Sequence, residues 1–212
     1  MSVNGKMTAI ADAIRAKTGG TTLLGLDEMA ASIEAVHAAG KKAEYDRFWD
    51  VFQDYGRRTG FAYAFAYTWT DEIFNPKYPI VSSSFNYTFY LSGITDTKVD
   101  ITVTANNLTG TFQGCTNLKT IRKLTVNENM TYTAVFRGCS ALENITVAGV
   151  IGNNFEIKDS PLTAASAKSI ISALKDYAGT GEAYTCTLGA KTLAKLTDAE
   201  KAIATQKGWT LA

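Results

Sequence analysis

The sequence predicts an α+β fold: a short β-solenoid at the centre, helices before it, and a helical and β cap after it. Three observations lead there. Two ten-residue segments repeat in register about 24 residues apart. The chain before residue 60 carries apolar side chains at helical spacing. Between about Val81 and Val150 it is rich in Thr, Asn, Val, Ile and aromatics, and no long helix fits.

The N-terminal region, 1–60, reads as three helices. Ile10, Ala13, Ile14 and Lys17 share one face, and Thr18-Gly19-Gly20 stops that helix. A second runs from about Asp27 to Ala39 on a stripe of Met29, Ile33 and Val36. A third covers Lys41 to about Tyr55, with Tyr45, Phe48, Trp49 and Phe52 inward. The stripes are too short for a long coiled coil. Short bundles that attach or oligomerise the chain are the expected use.

Residues 61–84 read as an aromatic strand and linker. Phe61, Tyr63, Phe65, Tyr67 and Trp69 alternate with small residues, which in a strand puts every large ring on one face. That strand is expected to cover one end of the solenoid. Pro76 and Pro79 mark the turns that follow.

The solenoid spans 85–162. Phe112, Gly114, Cys115, Leu118 and Ile121 recur as Phe136, Gly138, Cys139, Leu142 and Ile145. The period lies in the leucine-rich-repeat range of roughly 20–29 residues. One coil cannot bury its apolar face alone, whereas stacked coils share a core. Phe, Leu and Ile therefore point inward, the glycines turn with φ above zero, and the two cysteines stack as buried thiols. Strands are expected at Tyr87–Leu91, Asp100–Ala105, Leu124–Asn127 and Glu143–Val147. A degenerate coil precedes the twin segments, at Phe89–Gly93 and Asp100–Val103, and another follows at Phe155–Leu162.

Residues 163–212 form the C-terminal cap. A helix from Thr163 carries Ala167, Ile170, Ile171 and Leu174 on one face, and Gly179-Thr180-Gly181 closes it. Ala183–Leu188 is a strand. Thr197 and Glu200 match a capping box, the helix they start ends at Lys207-Gly208, and Trp209–Leu211 adds a last strand. Leu188, Leu193, Leu196 and Trp209 supply the cap's apolar side.

The bulk numbers narrow the function. With 212 residues, 19% charged and a net charge of +1, the chain has no basic field for nucleic acid. No apolar run spans a bilayer, and the first residues lack a secretory core, so synthesis in the cytoplasm is expected. Three cysteines outside any CxxC pair and a single histidine, His37, argue against a metal site. No cofactor is indicated, because Gly19-Gly20 and Gly179-Thr180-Gly181 lack a phosphate-loop pattern. Asp71-Glu72 reads as a turn, Asp198/Glu200 as a helix start and Arg57-Arg58 as a solvated pair. Within 105–150 only Glu128 and Glu143 are available as a glycosidase pair.

The phrases TFQGCTNLKTI and VFRGCSALENI resemble the BspA-like leucine-rich repeats of bacterial surface proteins. The tail, from SPLTAASAKSIISAL onward, resembles the ending of such proteins from gut Firmicutes and their prophages. IADAIRAKTGGTTLLGLDEMAASIEAV resembles the start of tail or fibre-like structural proteins of phages infecting those bacteria. The resemblance implies a non-enzymatic, tail-associated structural or receptor-binding protein. It would sit in the virion, touch other tail proteins and a host-surface glycan or protein, and form trimers. A bacterial cell-surface adhesin is the alternative, and a glycan-degrading tail enzyme a more distant one. The ligand-binding candidates are Tyr87, Tyr90, Asn106, Asn107, Asn129, Tyr132 and Asn154, since rings stack on sugars and amides bond their hydroxyls.

Overall fold

The computed structural model describes residues 60–67, 71, 74, 76 and 78–212. The three expected N-terminal helices, His37, Arg57-Arg58, Trp69 and Glu72 lie outside the described residues.

The fold is mixed α/β with two parallel sheets. Strands β1 (Ile80–Ser82), β2 (Asp100–Val103), β3 (Thr120–Val126) and β4 (Asn144–Gly149) form one sheet in chain order. The register pairs Ile80 with Ile101, Ile101 with Leu124, and Leu124 with Val147. One side chain per strand thus repeats along an inward column, and all four are buried. Between Ile121 and Leu124 the register shifts. This lets Ile121 and Leu124, three apart, both face the core where strict alternation would turn one outward.

The opposite wall is built from stacked turns, and here two expectations are corrected. Residues 62–65 and 86–91 are turns, not strands. Tyr63 and Tyr67 have φ of 58° and 66°, Tyr87 and Leu91 of 52° and 54°. Gly110 and Gly114, then Ala134 and Gly138, take the same places in the next two segments. A left-handed residue at every fourth position bends the chain. Phe61 and Phe65 then point inward while Tyr63 and Tyr67 point out. Nor does this segment lie across the end as a lid. It is a further layer, and its amides donate to the next layer, Phe61 to Ser84 at 2.8 Å and Phe65 to Thr88 at 2.7 Å.

Inside this wall Phe65, Phe89, Phe112 and Phe136 form a file of near-parallel rings with centroid steps of 5.1, 5.2 and 5.9 Å. The steps follow the ~4.8 Å spacing of paired backbones. A second file holds the thiols. Cys115 Sγ donates to Phe89 O at 2.8 Å and Cys139 Sγ to Phe112 O at 3.0 Å, and both are free and buried. Gly114 and Gly138, each with φ of 76°, turn as expected. Leu118, Ile121, Leu142 and Ile145 are buried.

The segment Phe155–Leu162 adds a layer to the turn wall that begins extended rather than as a turn, and no strand of the first sheet follows it. The Phe155 ring lies 5.5 Å from Phe136, and Ser160 Oγ donates to Cys139 O. Where a fifth strand would follow, α1 (Ala164–Ala173) packs on β4 instead. Thr163 caps its start by accepting the Ser166 amide. The helix stops at Ala173, well before Gly179, because Ile151 bridges the extended Leu174. Lys207 Nζ donates to the carbonyls of Ser172 and Leu174, satisfying that C-terminus.

The second sheet holds β5 (Phe155–Glu156), β6 (Tyr184–Thr187) and β7 (Trp209–Leu211), again parallel. Between β6 and β7 come α2 (Ala190–Leu193) and α3 (Asp198–Gln206). Helix α3 begins on the expected capping box of Thr197 and Glu200. Leu188, Leu196 and Trp209 are buried, with Leu193 packed beside them. No described helix is long and apolar enough to cross a membrane.

Candidate tyrosine ridge and adjoining cleft

The left-handed positions of the turn wall aim side chains outward, and on the first two layers three of those four are tyrosines, Tyr63, Tyr67 and Tyr87, with Leu91 the fourth and Tyr90 beside it. Tyr63 and Tyr87 stack with centroids 5.1 Å apart and planes 12° from parallel. Tyr67 meets Tyr90 edge to face at 5.3 Å, and Tyr90 meets Tyr87 the same way at 5.6 Å. Tyr63 is 50% exposed, Tyr67 62% and Leu91 45%, so an apolar, hydroxyl-tipped ridge faces solvent.

Two glycines make room for the ridge. A Cβ on Gly110 would lie 2.3 Å from Tyr87 Cε1, and one on Gly114 would lie 2.3 Å from Leu91 Cδ2. Those side chains therefore lie flat over the next layer's backbone. Beside them, Asn86 Oδ1 is buried with no hydrogen-bond partner among the described residues.

The same column continues from Gly110 to Ala134, and Ala134 lines an open cleft of about 540 Å³. One wall is the turn at Thr131–Ala134. The other comes from the second sheet, with Glu156, Tyr184, Thr185 and Thr187. Tyr184 packs 4.7 Å from Tyr177 and 5.5 Å from Trp209, and donates to Glu182 Oε2 at 2.9 Å. That carboxylate bond, ahead of burial, pushes the Tyr184 phenol up to about 12. Glu156 is paired with Lys158 at 2.8 Å.

Of the seven residues proposed from sequence, Tyr87 and Tyr90 belong to the ridge and Tyr132 and Asn154 to the cleft. Tyr132 is a correction in one respect: it is only 5% exposed. Its ring packs edge-on against Phe155 at 5.1 Å. Its hydroxyl is buried without a partner among the described residues, and burial pushes the phenol's ionisation well above its ordinary range. Asn154 Oδ1 accepts the Thr185 amide at 2.8 Å, which ties the two cleft walls together. Asn107 Oδ1 accepts the Thr109 amide in a local turn. Asn106 and Asn129 are exposed after β2 and β3 and line neither feature, although the Asn106 carbonyl accepts the amide and hydroxyl of Thr131 at the cleft's edge. Sequence reasoning missed Tyr63 and Tyr67 because it assigned them to a strand face. It missed Tyr184, Thr185 and Thr187 because nothing local pairs them with residues 131–134.

Glu128 follows β3 and Glu143 precedes β4. In a parallel pair these are opposite ends of the sheet, roughly 20 Å apart for a seven-residue strand at ~3.3 Å per residue. Glu128 is moreover bonded to Lys175 at 2.8 Å. Retaining and inverting glycosidases need separations of about 5–10 Å, so these two carboxylates do not make such a pair. Among the described residues no three His, Cys, Asp or Glu side chains group as metal ligands.

No family model matches the chain, and no match was found among curated proteins or solved structures.

Proposed function

We propose that this chain is a short leucine-rich-repeat-like β-solenoid serving as a non-enzymatic, phage tail-associated receptor-binding protein. The parallel register and the repeated turn wall support the solenoid reading. The resemblance of the repeat and terminal phrases supports the tail association. The observation that carries the binding role is the surface ridge of Tyr63, Tyr67, Tyr87 and Tyr90, the first two exposed and the other two half-buried. Tyrosine gives large, rigid contact area at low entropic cost and keeps a hydroxyl for a partner. The ligand is a glycan or protein of the host surface.

The test is binding of the purified, fluorescently labelled chain to a panel of gut Firmicute cells. Replacing Tyr63 and Tyr87 together by serine is expected to cut binding at least about tenfold, the loss of two anchoring rings, with the melting temperature little changed. Unaltered binding by that variant overturns the ridge as the contact surface.

A further inference from the structure

We propose that the cleft between the turn at Thr131–Ala134 and strand β6 is a binding site for a neutral carbohydrate. This inference rests on the cleft alone and stands apart from the tail assignment. Its volume of about 540 Å³ falls within the roughly 300–1,000 Å³ of small-ligand sites. The lining is dense in neutral hydrogen-bonding groups. Thr133, Thr185 and Thr187 present hydroxyls that no described group hydrogen-bonds. Asn153 Nδ2 already donates to the Glu128 and Met130 carbonyls and Asn154 Oδ1 accepts the Thr185 amide, which leaves Asn153 Oδ1 and Asn154 Nδ2 for a ligand.

Charge argues for a neutral ligand. None of the lining residues is cationic, and the lining carboxylate, Glu156, is already paired with Lys158. An anion would find no counter-charge, and a cation would compete with Lys158. Tyr184, propped by Tyr177 and Trp209, supplies a fixed aromatic body beside these polar groups. Rings of that kind pack against the C–H faces of sugars while hydroxyls and amides take the sugar's O–H groups.

Tyr132 supplies the second argument. It lines the cleft, and its hydroxyl is buried with no partner in the described chain. A buried polar group left unpaired destabilises the fold. That hydroxyl is closed to solvent in the free chain, so a ligand hydroxyl becomes the partner Tyr132 lacks only where the Thr131–Ala134 turn yields to admit it, and its cost in the free protein then becomes affinity in the complex.

The experiment is NMR of threonine-methyl-labelled full chain, titrated with galactose, N-acetylglucosamine, rhamnose and cellobiose, and with glucuronate and triglycine as comparison probes. At least one neutral sugar is expected to shift the methyls of Thr133, Thr185 and Thr187, with neither comparison probe doing so. Tyr132→Phe is expected to weaken that sugar about five-fold, the worth of one hydrogen bond, without lowering the melting temperature. Thr187→Val should weaken it similarly. Absence of shifts with every neutral sugar, equal shifts with glucuronate or triglycine, or affinity untouched in both variants overturns the proposal. Loss of cell binding in the ridge variant, with no sugar shift at these threonines, would sink the cleft and leave the tail reading standing.

Discussion

Ser166 Oγ accepts the backbone amide of Ile145 at 2.9 Å, so a helix side chain stands where the next strand's carbonyl would be. Ser169 repeats the arrangement, accepting from Val147 at 2.8 Å and donating back to its carbonyl at 3.2 Å. An open parallel edge would invite pairing with another chain. Helix α1 closes it with two hydroxyls three residues apart, which is one helical face. Ser166→Ala strands a buried amide and is expected to cost about 1–3 kcal/mol. Ser169 is half-buried, so water can replace its hydroxyl and Ser169→Ala should cost less. Urea unfolding of both variants checks the order; equal costs would mean that burial does not set the difference, and negligible costs in both that the edge does not depend on the helix.

Two glycines separate backbone strain from layer contact. Gly149 has φ of 88°, and a Cβ there would lie 1.9 Å from Val126 O in the layer below. Gly179 has φ of 74° and nothing within 4 Å. Alanine at either site carries the left-handed penalty of about 1–2 kcal/mol. Only Gly149→Ala must also push two strands apart. It is expected to lose at least twice as much stability as Gly179→Ala in thermal unfolding. A smaller ratio would show that the β3–β4 layers spread easily.

The thiols make stability depend on alkaline pH. Burial pushes Cys115 and Cys186 up from 9.0 to about 12, and Cys139 beyond that range. Above pH 9 the unfolded chain releases thiol protons that the folded chain retains. Protons then favour the fold, and its stability falls as pH rises. This contribution is intact below pH 9 and is lost progressively between about 9 and 12. Unfolding by urea at pH 8 and pH 10.5 should show the decline. Cys115→Ser should make the decline shallower, with Cys139 and Cys186 carrying the remainder, and serine is suited to the place because Ser160 already occupies the next position in that file. A disulfide-exchange reagent at pH 8 should label no cysteine among these three until the chain unfolds.

The legible parts of this fold were those where a local pattern has one meaning. The repeat of Phe, Gly, Cys, Leu and Ile located the buried files, because each residue type suits one place in a layer. The capping box at Thr197 and the glycine turns at 114 and 138 are likewise local devices. The segment 61–67 was misread because period-two alternation has two physical solutions. An extended chain puts all the odd residues on one side; a turn with left-handed residues at Tyr63 and Tyr67 splits them. The signal that separates the two was present: Phe and Tyr alternate among the odd positions, apolar rings inward and hydroxyl-bearing rings outward. The end of α1 and the cleft were beyond local reading, since Leu174 is fixed by Ile151 and Thr185 by Asn154.

The phenylalanine file makes a sharper test of layered stability. Phe89 and Phe112 stack at 5.2 Å with planes 6° apart, whereas Phe65 and Phe136 are separated by both of them. If each layer is stabilised chiefly by its neighbours, coupling should end at the adjacent ring. A double-mutant cycle with Phe89→Leu and Phe112→Leu is expected to give an interaction energy of about 0.5–1.5 kcal/mol. The cycle with Phe65→Leu and Phe136→Leu should give a value within about 0.5 kcal/mol of zero. Each single change removes a stacked ring but keeps an apolar side chain, so the folded state survives to be measured. Strong coupling in the distant pair would mean that the file relaxes as one unit, and that a substitution at the Phe65 end is felt at the cleft beside Phe155.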